Sequence, residues 1–209
     1  MLIKTLPVGQ LETNCYIIVD EITRRCAIVD PGAESNTIMD YIESNNLIPH
    51  AILLTHGHFD HRMALDPILE EVTDVYAYIH ELEIASEFDD PHYKLQDNGE
   101  MTFYAEGDVI KVGTLEIFVM ETPGHTAGSV TLRCEKVLFT GDTLFRDSCG
   151  RTDLNGSMED MLLSLKRLSD LKGDYEVYPG HAESSTLDRE RAFNYYMKQA
   201  LSNNPGMSF

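Results

Sequence analysis

The sequence predicts an α/β (α+β) fold in which two mixed β-sheets pack together with helices outside them. Three observations carry this expectation. Short runs rich in Ile, Val and Tyr, bounded by turn residues, recur along the chain. Segments with apolar residues at helical spacing interrupt them at intervals, without a strict βαβ alternation. No internal repeat and no Gly/Ser-rich linker divides the 209 residues, so a single domain over 1–209 is expected.

The elements follow in order. MLIKTLPV (1–8), NCYIIVD (14–20) and RCAIVD (25–30) read as three strands, the last broken by Asp30-Pro31-Gly32. SNTIMDYIESNN (35–46) sets Ile38, Tyr41 and Ile42 at helical spacing behind a start signal at Ser35 or Asn36. HAILLT (50–55) is a short strand and VYAYIH (75–80) another. From Glu81 to Gly107 the chain is polar and irregular, which predicts an excursion over the surface. DVIKVGTLEIFVMETPG (108–124) and SVTLRCEKVLFTGD (129–142) predict two hairpins. SMEDMLLSLKRLSDL (157–171) repeats Met158, Met161, Leu162, Leu165 and Leu168 every three or four residues, with Ser157 and Asp160 as a weak capping box. YEVYPGH (175–181) predicts a last strand and LDRERAFNYYMKQAL (187–201) a last helix.

Acidic residues outnumber basic ones 35 to 16, for a formal charge of −19. Such a field repels polyanions, so no nucleic-acid partner is expected. No apolar run approaches the roughly 18 residues of a membrane helix, and the N-terminus lacks the pattern of a signal peptide. The four cysteines, at 15, 26, 134 and 149, are widely spaced and form no C-x-x-C pair. A cytoplasmic protein with reduced thiols and no membrane partner is expected.

The chemistry concentrates where strands end. HAILLT runs into His56-Gly57-His58-Phe59-Asp60-His61, EIFVMETPG into His125, VLFTG into Asp142, and YEVYPG into His181. Five imidazoles and two carboxylates are the ligands zinc prefers where thiolates are absent. Seven donors are too many for one tetrahedral ion, and they suit two ions sharing a bridging carboxylate. His50, His80 and His92 lack such company and read as ordinary surface or core histidines.

These residues resemble the H-x-H-x-D-H signature of the metallo-β-lactamase superfamily. IVDPG (28–32), THGHFDH (55–61), TPGHTAGS (122–129), FTGDTLF (139–145), CGRTD (149–153) and YPGH (178–181) follow in that family's order. The resemblance implies a four-layer αββα sandwich with a binuclear site at one edge. It assigns His56, His58 and His125 to a first metal, Asp60, His61 and His181 to a second, and Asp142 to the bridge. Two divalent ions are implied, zinc first, with iron or manganese as alternatives. CGRTDLNGS and YPGHAESSTLDRERAFN are most similar to short glyoxalase II-like (hydroxyacylglutathione hydrolase-like) enzymes. The implied activity is hydrolysis of a small-molecule acyl thioester by a metal-bridging hydroxide, with Asp60 as the catalytic residue that orients it. Arg151 matches the family's basic residue for a substrate carboxylate.

The chain departs from that pattern at several points. After His61 it continues Arg62-Met63-Ala64, where the family has small residues, often Gly-Gly. Arg62 is therefore a second candidate for binding substrate. Asp153 and Glu183 stand where the family's glutathione-contacting tyrosines are expected, and no C-terminal helical glutathione-binding domain is expected. Cys149 reads as a small buried residue. The alternative activity is that of a mononuclear iron persulfide dioxygenase, which shares this fold and the CGRTD stretch. β-Lactam hydrolysis is disfavoured because the bridging position is Asp142 rather than the Cys of many lactamases.

Overall fold

The structure, a computed structural model, describes residues 1–85, 89–96 and 99–202. The first sheet is built from β1 (Leu2–Val8), β2 (Thr13–Val19), β3 (Arg25–Val29), β4 (Ile48–Leu53), β5 (Tyr76–His80) and β6 (Met101–Tyr104), in that spatial order. The second runs β12 (Ser185–Thr186), β11 (Glu176–Pro179), β10 (Val137–Gly141), β9 (Val130–Cys134), β8 (Leu115–Glu121) and β7 (Val109–Val112). Both sheets are mixed. Hairpins pair β1 with β2 and β2 with β3, whereas β3 to β6 are parallel. In the second sheet only β10 and β11 are parallel.

Alternation along β2 shows why the apolar runs are continuous. Cys15, Ile17 and Val19 face α1 (Ser35–Ser44) and α2 (Leu65–Glu71), packing with Ile38, Ile42 and Ile68. Tyr16 and Ile18 face the opposite sheet, packing with Ile117, Leu132 and Phe139. A strand covered on both faces has no solvent side to fill with polar residues. A third cluster lies between the second sheet and α3 (Met158–Ser169), α4 (Leu187–Phe193) and α5 (Tyr195–Ser202), joining Leu138 and Val177 to Met161, Leu165 and Met197. Two mixed sheets flanked by helices give the four-layer αββα arrangement of the metallo-β-lactamase fold. Among the described residues, no helix is long and apolar enough to cross a membrane.

Several elements depart from the sequence reading. The first sheet holds true crossovers, because α1 and the unforeseen α2 link parallel neighbours β3, β4 and β5. Helix α1 has no side-chain cap. Glu34 precedes it in a left-handed conformation (φ 56°), Ser35 is its first residue, and the Glu34 carboxylate instead accepts from Gly9 N at 3.0 Å. The polar excursion returns to the sheet as β6, although residues 86–88 and 97–98 lie outside the described residues. The expected last helix is two helices. Asn194 breaks it in an extended conformation, its amide donating to Ser148 O at 2.9 Å while its Oδ1 accepts from Met197 N at 3.1 Å to start α5. Ser157 caps α3 as expected, accepting from Asp160 N.

Candidate metal centre

Four strands of the two sheets end at one edge, each with a donor just beyond it. β4 delivers His56, β8 leads to His125, β10 ends against Asp142, and β11 leads to His181. A 3₁₀ turn over Phe59–His61 folds Asp60 and His61 back toward the same point. Close approach decides two residues here. A Cβ on Gly180 would lie 2.3 Å from Asp142 Oδ1, and one on Gly141, whose φ is +47°, 2.4 Å from Thr55 Oγ1.

The seven sequence-predicted donors come together. Three overlapping groups form, each with ligand atoms within 4.8 Å of one another: His56, His58 and His125; His56, His61 and Asp142; and Asp60, His61 and His181. Four of the imidazoles are oriented by a second contact. His56 Nδ1 donates to Thr55 Oγ1 (3.1 Å), His61 Nδ1 to Asp30 Oδ2 (3.0 Å), His125 Nδ1 to Arg151 O (2.7 Å) and His181 Nδ1 to Leu11 O (3.1 Å). With Nδ1 so fixed, each ring turns its Nε2 inward. His58 Nδ1 lies 2.9 Å from His125 Nε2. The Nε2 atoms of His56, His58 and His61 and Oδ1 of Asp142 are buried without a hydrogen-bond partner. Buried polar atoms are seldom left so. Seven clustered ligands, with Nε2 of His56 and His61 orphaned while their Nδ1 atoms are satisfied, fit divalent cations.

The electrostatics of the metal-free site differ across it. Burial depresses His56 far below the usual imidazole range, and His58 to about 4, with neighbouring imidazoles adding to the effect. Burial would also depress His61, but Asp142, Asp30 and Asp60 outweigh it and raise His61 to about 9. At Asp60 burial opposes ionisation, yet the hydrogen bond from His181 and the charge of His61 hold its carboxyl below the ordinary carboxylate range.

The supporting residues escaped the sequence reading. Asp30, 1% exposed, accepts from Thr55 N and Thr55 Oγ1, both at 2.7 Å, besides His61. It thereby orients His61 directly and His56 through Thr55. The IVDPG motif contains it, but nothing in the spacing assigned it a role. Glu83, also 1% exposed, accepts from Gly57 N (2.7 Å) and Gly128 N (2.8 Å). It clamps the loop of His56 and His58 to the loop that follows His125, and no sequence signal marked it. Asn14 anchors the turn bearing His181 by donating to Pro179 O and Ala182 O at 3.0 and 2.9 Å.

A cavity of about 470 Å³ opens over the donors, walled by Leu11, Phe59, Tyr93, Phe145 and Leu154, with Arg151 at its rim. Arg151 forms a two-pronged pair with Asp153, both contacts 2.7 Å. Arg146 pairs with Glu183 through a single contact. Both acids standing where tyrosines were expected are thus salt-bridge partners. Arg62 does not line the cavity. Its guanidinium donates to Gly57 O (2.7 Å), Lys94 O (3.0 Å) and Pro91 O, tying the motif loop to residues 91–94. Cys149 is half-buried against the α3 cluster, and burial raises its thiol to about 11, so it is no ready nucleophile. His50, His80 and His92 lie outside the donor groups, beside Arg25, Glu121 and Asp90 respectively.

Comparison with known proteins gives a consistent picture. The family model for the Metallo-beta-lactamase superfamily matches residues 8–181. A probable metallo-hydrolase of Bacillus subtilis, YqgX, is 34% identical over 93% of this chain and 96% of its own. The hydroxyacylglutathione hydrolase GloC of Haemophilus influenzae is 31% identical over 94% of this chain and 98% of its own. Similar solved structures include the B3 metallo-beta-lactamase BLEG-1 (TM-score 0.81, 30% identity, 94% of this chain and 99% of that one). ETHE1 from Myxococcus xanthus follows (0.79, 26%, 100% and 92%), then TTHA1623 in a di-iron-bound form (0.78, 31%, 92% and 99%).

Proposed function

The chain belongs to the metallo-beta-lactamase superfamily, and on that premise we propose that it is a glyoxalase II-like thioester hydrolase that works with two divalent cations. The observation that carries the metal reading is the clustering of seven imidazole and carboxylate ligands, with Nε2 of His56 and His61 unpartnered while Thr55 and Asp30 fix their Nδ1 atoms. Likeness to a hydroxyacylglutathione hydrolase supports the thioester. His56, His58 and His125 would hold one ion and Asp60, His61 and His181 the other, with Asp142 between them. Zinc is the first candidate, and the di-iron form of a similar protein supports iron as the alternative. Bound there, such ions supply Lewis acidity toward a carbonyl and make water more acidic.

The chain's own residues do the rest. Asp60, kept ionised and held by Thr13 Oγ1 at 3.1 Å, orients an attacking water. Tyr93, Phe145 and Leu154 wall the cavity and restrict bulk water around the acyl carbon. Arg151 fixes His125 through its backbone oxygen and offers its guanidinium at the rim to a charged part of the thiol. No enzyme nucleophile is needed, because a thiol with pKa near 8.5 is a good leaving group.

The test is metal analysis of anaerobically purified protein, followed by hydrolysis assays on acyl thioesters of several low-molecular-weight thiols. Two ions per chain and thioester turnover exceeding that of a chromogenic β-lactam are expected. One iron per chain with oxygen uptake on a persulfide would instead favour the dioxygenase reading. A metal-replete protein that turns over no thioester would defeat the proposal.

A further inference from the structure

A second cavity of about 460 Å³ adjoins the first, and the function proposed above leaves it without a role. Leu11, Phe59 and Asp60 line both cavities, so the two meet at the carboxylate assigned to the second ion. Beyond Asp60 the walls are Val8, Gly9, Gly32 and Met63, with Gln10 and Thr13 as the polar members. Its entrance is flanked by Leu11 and Met63, large apolar side chains that are 55% and 51% exposed. Met63 belongs to the Arg62-Met63-Ala64 stretch, where the sequence departs from its family. Of its first two residues, Arg62 is tied to backbone carbonyls and Met63 faces this cavity.

We propose that this groove binds the apolar acyl chain of the thioester, so that the enzyme's substrates are acyl thioesters with chains of several methylenes. The proposal rests on the thioester reading. A thioester at the metal centre has two arms. The thiol arm, with its polar amides or charges, suits the rim where Arg151 lies, paired with Asp153. The acyl arm is the hydrocarbon part, and it matches the aliphatic and aromatic walls on the far side of Asp60. Neither Leu11 nor Met63 packs in any of the three core clusters. Their exposed apolar surface is what a substrate chain would cover.

The experiment measures kcat/KM of the metal-replete enzyme on acetyl, butyryl, hexanoyl and octanoyl thioesters of N-acetylcysteamine. Burial of each methylene predicts a rise of about fourfold until the groove is full. Met63→Lys should lower the octanoyl-to-acetyl ratio at least about tenfold, and Met63→Leu should keep it within about threefold. A ratio near one in the parent enzyme overturns the proposal but leaves the thioesterase standing. So does a chain-length dependence that follows an alkyl thiol in place of the acyl group, or one that Met63→Lys leaves untouched. If no thioester is cleaved, the function reading falls separately. Octanoate is then titrated against protein labelled at its methionine methyls. A saturable shift of the Met63 methyl, absent with acetate, sustains the groove, and no shift overturns it.

Discussion

The two halves of the metal centre are built differently. His56, His58 and His125 form an almost closed group, 0%, 6% and 3% exposed, made only of imidazoles. Two of them, His56 and His58, stay neutral far below pH 6 in the metal-free protein. The second group mixes a carboxylate with two imidazoles and opens to the cavity, the His181 side chain being 25% exposed. Its His61 holds a proton up to about pH 9 while the metal is absent. His56 and His58 are thus ready for a cation at any ordinary pH, whereas the second group exchanges protons for it. On the two-ion reading proposed above, the buried trio is expected to fill before the exposed one.

Removing what the halves share should have the largest effect. Asp142→Ala is expected to lose both ions and reduce activity to background, beyond the ~100-fold typical of an outer partner. Metal content and kcat/KM measured together check this, and full activity with two bound ions would refute the bridge. Asp30→Asn comes next, because Asp30 orients His61 directly and His56 only through Thr55. Affinity for the second ion should fall about 10–100-fold and for the first by less, read by competition with a chromogenic chelator. Equal losses would erase the asymmetry.

Glu83→Ala acts on the opposite half. It leaves Gly57 N and Gly128 N unpaired, so thermal or urea unfolding should show a loss of about 2–4 kcal/mol. The first ion should loosen more than the second, and Glu83→Gln should recover part of both effects. The contrast in pKa gives a milder test. His61 has a raised pKa, so protons compete with the second ion below about pH 9, and its affinity falls as pH falls. His58, at about 4, imposes no such competition on the first ion above pH 5. Calorimetry at pH 7.5 in buffers of different ionisation enthalpy should record about one proton or more released with the second ion and fewer with the first. Matching proton counts would break the comparison. The smallest effect is expected at the rim. Asp153→Asn frees Arg151 and should lower KM for anionic thioesters about twofold to fivefold, since exposed ion pairs are weak.

The donors could be read from the chain because ligation demands particular residue types, and tight turns carry them at strand ends. His56, His58, Asp60 and His61 advertise themselves by density alone, and TPGH, FTGD and YPGH carry a glycine before the donor. What orients them could not be read this way. Glu83 lies 26 residues from Gly57 and 45 from Gly128, and a carboxylate that accepts from backbone N–H groups constrains no side chain in its partners. Arg62 looked like a substrate cation because its charge was visible and the carbonyls it serves were not. The sheets were foreseen from their apolar runs. The split between α4 and α5 was not, because LDRERAFNYYMKQAL keeps helical spacing straight through Asn194, whose amide is claimed by Ser148 O in a distant loop.

Asn14 ties the second strand to the turn after the eleventh, across 165 and 168 residues of chain, and Tyr16 reaches Pro179 O across 163. A polypeptide synthesised from its N-terminus exposes the histidine-rich loop of 56–61 long before His181 exists. During that interval the early donors form a partial site that lacks its later partners. Complete ligation therefore has to await the closing of a contact between the two ends of the fold, among the slowest kinds to form. On the two-ion reading, metal acquisition is expected to be a late folding event that follows the emergence of His181.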